Sequence, residues 1–179
     1  MALKSTIFKL NLNVADLDHH VYEDFNLTIA QHPSETGQRM MLRVLAFALH
    51  AGPTLEFGRG ISTEGEPDLW QKSLSDTIEL WIELGTPDPD RLRKACSRAD
   101  KVLLYCYGDR ATPVWWRKNQ AELARFDNLT ILQVSDSDCD ALADMAIPGM
   151  SLQCTISEGD AMFTVQQKAI SIRPTLLKD

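Results

Sequence analysis

Three observations predict an α/β fold for this chain, with a mixed sheet core flanked by helices and a β-hairpin near each end. Apolar residues alternate with polar ones near the N-terminus, at Phe8, Leu10, Leu12 and Val14, which is the period of a half-buried strand. Between residues 34 and 107 helical signatures interleave with strand signatures. Residues 102–107 form a nearly continuous apolar run, the pattern of a strand buried on both faces.

The elements follow in order. A second strand alternates at Phe25, Leu27 and Ile29, and the acidic, histidine-containing stretch 16–20 supplies the turn. His32-Pro33-Ser34 opens a helix, with Ser34 as N-cap and Glu35 complementing the dipole of the first turn. Met41, Val44, Leu45 and Ala48 form its apolar stripe, while Glu35, Arg39 and Arg43 recur every four residues on another face. Gly52-Pro53 stops it. A short strand at 55–58 and a polar loop at 60–65 lead to two alternating strands, 67–72 and 77–84. Asp88 and Asp90 cap a basic helix over 91–99. After the buried strand come a helix over 114–125, a strand over 129–134 and a short acidic helix over 136–144. Two strands around Glu158-Gly159-Asp160 form the last hairpin.

At 179 residues and 44% hydrophobic composition, one domain spanning 1–179 is expected, burying roughly 70% of its unfolded surface. No stretch approaches the ~20 apolar residues that span a bilayer, and the N-terminus lacks a signal pattern, so the expected location is the cytoplasm. Cys96, Cys106, Cys139 and Cys154 form no C-x-x-C pair and read as reduced thiols. The net charge of −7 disfavours a generic nucleic-acid binder. Its distribution is uneven: residues 56–90 carry nine acids against two bases, and residues 91–125 nine bases against three acids. A basic surface beside an acidic pocket attracts phosphate despite the global charge; solvated helix faces give the same composition.

The carboxylates carry the chemistry. Pairing the two alternating strands through Ser73-Leu74-Ser75-Asp76 sets Lys72 against Thr77, Trp70 against Glu79, Asp68 against Trp81 and Glu66 against Glu83. Glu66, Asp68, Trp70, Lys72, Glu79, Trp81 and Glu83 then share one face. Asp68 and Glu83 become diagonal neighbours, about 7–8 Å apart at Cβ, able to reach one Mg²⁺ or Mn²⁺ with Glu66 and Glu79 beside it. The bland alternative is an edge made soluble by Glu and Lys. Trp70 and Trp81 can stack on a base or sugar, or lie under a helix.

Glu66-Pro67-Asp68 followed by Glu83-x-Gly85 resembles the PD-(D/E)XK nuclease-like superfamily. The wider chain resembles the bacterial YaeQ family, through VYEDFNLTIAQHPSETGQRMMLRVLAFALHA at 21–51, STEGEPDLWQKSL at 62–74, IELWIELG at 78–85, RKACSRADKVLLY at 93–105, and VWW through RFDNL up to 129. The resemblance implies a restriction-endonuclease-like fold and Mg²⁺-dependent relatives. By position, Asp68 and Glu83 match the motif acids, and Glu35 an additional acid on the first helix. Gly85 stands where the motif has a lysine. Lys72 is the candidate replacement, roughly 13 Å along the strand from Asp68. The expected function is a divergent nuclease: Asp68, Glu83 and Lys72 catalytic; Asp68, Glu83, Glu66, Glu79 and Glu35 on the metal; Arg91, Lys94 and Arg98 on phosphate. The alternative is a non-catalytic regulatory protein that binds nucleic acid or a protein partner on the same fold. A third reading is an enzyme of small phosphorylated metabolites, although the chain has no phosphate-cradling glycine loop.

Overall fold

The computed structural model describes residues 4–59 and 64–179. Eleven strands and four helices lie among them, ordered β1(Thr6–Asp16), β2(Val21–Gln31), α1(Gly37–Leu49), β3(Leu55–Phe57), β4(Leu69–Lys72), β5(Ile78–Leu84), α2(Pro89–Arg98), β6(Ala99–Tyr107), α3(Ala111–Leu123), β7(Leu129–Val134), α4(Asp136–Ala143), β8(Met150–Ser157), β9(Asp160–Val165), β10(Lys168–Ile172) and β11(Thr175–Lys178). The fold is mixed α/β. Most of the polar loop expected at 60–65 lies outside the described residues.

The strands form two mixed sheets. One has five strands in the order β10-β9-β8-β1-β2, and the other six in the order β11-β7-β6-β5-β4-β3. The two terminal hairpins join in the five-stranded sheet, where β1 runs parallel to β8. β5, β6 and β7 form the parallel centre of the six-stranded sheet.

Helix α1 lies between the sheets. Nine consecutive residues, Met40 to Ala48, are buried, because one side of the helix meets Leu12, Val14 and Ile29 and another meets Leu69, Ile82, Leu84 and Leu103. A helix apolar on all sides is a core helix. The predicted stripe was therefore too narrow. Helices α2 and α3 cover the far face of the six-stranded sheet, where Leu92, Ala95 and Leu123 pack on Trp81, Val102, Leu104 and Ile131.

Several boundaries differ from expectation. α1 begins at Gly37 with Thr36 as N-cap, whose Oγ1 accepts the Arg39 N–H at 3.2 Å. Ser34 instead sits in a turn, its N–H bonded to His32 Nδ1. Glu35 therefore precedes the helix rather than occupying its first turn. β10 and β11 were not foreseen.

The main correction concerns the β4–β5 hairpin. Its loop closes between Ser73 N–H and Thr77 C=O at 2.9 Å, and the Ser73 Oγ accepts the N–H groups of Ser75 and Thr77. Lys72 then pairs with Ile78, while Gln71 pairs with Leu80 and Leu69 with Ile82. Glu79 is the extra residue of a β-bulge. The shift of two residues keeps Trp70 and Trp81 on one face as a directly opposed pair, and the ladder ends at Leu69, before Asp68, whose N–H bonds the Ile82 carbonyl. Glu79 leaves that face and accepts a hydrogen bond from Gln71 Nε2 at 2.8 Å.

Candidate functional site

The candidate pocket is a buried cluster of charges where β4 begins, β5 ends and the N-terminus of α1 approaches. Asp68 is anchored by its own backbone: its N–H donates to Ile82 C=O at 3.0 Å, and its C=O accepts from Gly58 N–H at 2.9 Å. Gly58 permits this approach, since a Cβ there would lie 2.0 Å from the Pro67 oxygen.

The acids are buried and already have partners. Asp68 Oδ1 accepts from Arg39 Nη2 at 2.7 Å, and Oδ2 accepts from Leu84 N–H at 2.9 Å. Glu35 Oε1 accepts from Arg39 Nη1 at 3.2 Å and Arg43 Nε at 2.9 Å, while Oε2 accepts from Arg43 Nη2 at 2.7 Å. Arg39 thus bridges Glu35 and Asp68. Glu83 Oε1 accepts from Trp81 Nε1 and Arg91 Nε, both at 2.9 Å.

Burial raises the Glu83 pKa, and the Asp68 charge adds to the rise; the bonds from Arg91 and Trp81 oppose it. Burial opposes the charge of Arg39, yet Asp68 outweighs it and the guanidinium pKa is raised. Tyr107 borders the same pocket. Burial raises its phenol pKa, and the neighbouring Arg39 works against that rise.

The remaining predicted residues are dispersed. Glu66 Oε2 accepts from Arg59 N–H at 3.1 Å. Lys72 Nζ lies 3.8 Å from the centre of the Trp70 ring, a cation–π contact that removes it from the acids. Trp70 in turn meets Trp81 edge to face. Trp81 is buried under α2, so it offers no stacking surface. Arg91 spends its donors on Glu83 and on the Glu66 carbonyl, the latter at 2.7 Å. Arg98 donates to the Gly65 carbonyl at 2.9 Å and stacks over Trp81. Arg91, Lys94 and Arg98 line a cleft of about 490 Å³, together with Glu64, Asp88 and Asp90.

Gly85 ends β5 with φ +99°. Its N–H donates to Tyr105 C=O at 2.9 Å. A lysine would be strained in this left-handed backbone, so the missing motif lysine is also a backbone requirement.

These residues test whether Mg²⁺ or Mn²⁺ fits. A hard cation wants several free carboxylate oxygens, but the oxygens of Glu35 and Asp68 are taken by guanidinium and backbone N–H donors. Among the described residues, no three His, Cys, Asp or Glu side chains are grouped to hold a metal ion. As arranged, the pocket does not fit the metal, and its cations are arginines.

A family model described as YaeQ protein matches residues 1–174. The chain belongs to the YaeQ family. It is 43% identical to YaeQ of Salmonella typhi over 175 residues, covering 98% of this chain and 97% of that one. It is 45% identical to YaeQ of Escherichia coli strain K12, covering 89% and 88% respectively. Among solved structures, YaeQ from Xanthomonas axonopodis pv. citri matches with a TM-score of 0.94 at 37% identity, covering 97% of this chain and 98% of that one. YaeQ from Pseudomonas syringae matches with 0.93 at 38%, covering 98% and 97%.

In this YaeQ chain, Arg39 and Arg43 are the residues of this cluster whose pairing sequence reasoning missed. Their signal was visible as the four-residue spacing from Glu35. Tyr107 gave none, because it ends a strand that reads as uniformly buried. No helix among the described residues is long and apolar enough to cross a membrane.

Proposed function

We propose that this chain has a restriction-endonuclease-like core of the PD-(D/E)XK type, and that it binds nucleic acid without hydrolysing it. The observation that carries this reading is the contrast between the pocket and its border. Arginines and backbone N–H groups neutralise Glu35, Asp68 and Glu83, whereas the α2–α3 layer beside them exposes Arg93, Lys94, Arg98, Arg117, Lys118 and Arg125. Among the described residues, only Arg93 of these six has a carboxylate partner, Asp90 at 3.0 Å. Exposed unpaired bases are the footprint of phosphate-backbone binding. No step is assigned to a metal, and Lys72 has no part in the reading.

A second reading is the divergent metal-dependent nuclease. It draws support from the enclosure of three acids near one another: Arg39 joins Asp68 to Glu35, and the Asp68 charge raises the Glu83 pKa. One experiment separates the two. Single- and double-stranded DNA and RNA oligonucleotides are titrated by fluorescence anisotropy at rising salt, then incubated with Mg²⁺ or Mn²⁺ and resolved on denaturing gels. The expected result is affinity that falls with salt and no cleavage. Metal-dependent cleavage that disappears in Asp68→Asn would establish the nuclease instead. Absence of any salt-dependent binding would remove the nucleic-acid reading.

A further inference from the structure

Four strand edges end the two sheets. Three are short: β10 has five residues, β11 four and β3 three. The fourth, β2, has eleven residues and pairs with β1 without interruption from Gln31 to Val21. Folded proteins shield such edges with proline, bulges, brevity or charge. β2 contains neither proline nor glycine, its register has no bulge, and its charges are confined to Glu23 and Asp24.

The backbone shows which groups are free. The Ala30 carbonyl accepts a hydrogen bond from the Arg43 side chain at 3.0 Å, so it points away from β1. Alternation along an antiparallel strand then directs the N–H and C=O of Tyr22, Asp24, Asn26 and Thr28 outward as well. All four of these residues are exposed. On the inner face Phe25 and Leu27 are only half-buried, at the rim of the core.

We propose that β2 pairs antiparallel with β2 of a second copy of this chain, about a two-fold axis through Asn26, joining the two five-stranded sheets into one. This axis sets all eleven residues of each strand in register, and its free ladder bonds run through Asp24, Asn26 and Thr28, because Arg43 already holds the Ala30 carbonyl. It pairs Asn26 with Asn26, Asp24 with Thr28, Tyr22 with Ala30, Phe25 with Leu27 and Glu23 with Ile29. No two carboxylates face each other. Thr28 neighbours Lys9 on β1, so Asp24 of one copy comes within two strand spacings, about 10 Å, of Lys9 of the other on the same face. The Phe25–Leu27 contacts, made twice by symmetry, would cover the half-buried rim. Such an interface is isologous and closes as a dimer, so it does not propagate into fibres.

The charge pairing makes the register testable. Sedimentation equilibrium of the full chain, over two decades of concentration up to about 100 µM, is expected to show a reversible dimer. Thr28→Asp sets two pairs of like charges opposite each other and is expected to weaken the dimer about tenfold or more. Thr28 is exposed, and an unchanged circular dichroism spectrum and melting temperature would show that the variant folds. Asp24→Lys combined with Thr28→Asp restores opposite charges in that register and is expected to recover the dimer. A chain that stays monomeric at the highest concentration overturns the proposal and leaves the edge to an extended segment of another protein. A dimer indifferent to Thr28→Asp, or one that the double variant fails to recover, overturns it equally.

Discussion

The buried charges around the start of α1 and the end of β5, and the surface of α2 and α3, follow opposite rules. In the pocket, Glu35, Asp68, Glu83, Arg39 and Arg43 are mostly or fully enclosed, and each has one or more charged partners at hydrogen-bond distance. On the helical surface the bases stand in solvent, and most have no acid beside them. Water stabilises the second group and is denied to the first. Burying an ion costs several kcal/mol unless a partner is present, so the pocket's compensation is a condition of folding. The surface had no such condition to meet, which leaves its charge available for a ligand. The acids that suggest catalysis are therefore those whose charge is already occupied.

Removing one partner from the pocket should give the largest effect. Glu35→Ala leaves Arg43 buried and unpaired, and it strips one of the two acids from Arg39. The expected loss is about 3–5 kcal/mol, as for other broken buried pairs. Chemical denaturation of the purified variant measures it. A loss below about 1 kcal/mol, the range of exposed pairs, would place Glu35 in solvent and erase the distinction between the two regions.

Much of this contrast can be read from the amino-acid sequence. The α/β class, strand β5 to within one residue, the span of β7 and the Asp88 cap all follow from periodicity and turn chemistry. The hairpin register does not, because the bulge at Glu79 arises from Ser73 bonding two later N–H groups, and no hydrophobic pattern records that. Glu79 leaves the expected face for this reason, whereas Lys72 keeps the face of Trp70 and stacks on that ring. The arginine partners were hidden differently. A helix buried on all sides can carry Arg39 and Arg43 only where acids meet them, and those acids come from the loop before it and from the residue before β4. Residues 31–43 show the spacing, but the pairing with Asp68 is long-range.

A half-buried histidine tests the rule from the other side. His50 has no acid in contact; its Nε2 shares a 2.6 Å hydrogen bond with the Tyr105 hydroxyl. Burial lowers its pKa from 6.5 to about 4, so it folds as the neutral imidazole. The unfolded chain takes up a proton near pH 6.5 that the native chain refuses until near pH 4. Stability is therefore complete above pH 6.5 and falls as the pH drops through this window, by roughly 3 kcal/mol in all. Glu83, whose pKa is raised, acts in the opposite sense, so the comparison must be with His50→Gln. That variant is expected to lose less stability between pH 7 and pH 4 than the wild type. Parallel denaturation curves for both proteins would show that His50 ionises as readily folded as unfolded, and burial without compensation would then cost little here.

The smallest effect on stability belongs to the helical surface, where the same substitutions should have a large effect on binding. Lys94 and Lys118 are exposed on α2 and α3, and neither forms a salt bridge among the described residues. Reversing both to glutamate should change the unfolding free energy by no more than about 0.5 kcal/mol. Each lysine that neutralises a phosphate contributes nearly one unit to the slope of log affinity against log salt. The double variant should therefore bind an oligonucleotide at least about tenfold more weakly at low salt, with a shallower slope by one to two units. Thermal melts and salt titrations on the same preparations separate the two outcomes. Unchanged affinity would move the binding surface away from α2 and α3. Unchanged stability with collapsed affinity would confirm that charge here serves a ligand, in contrast to the pocket, where it serves the fold.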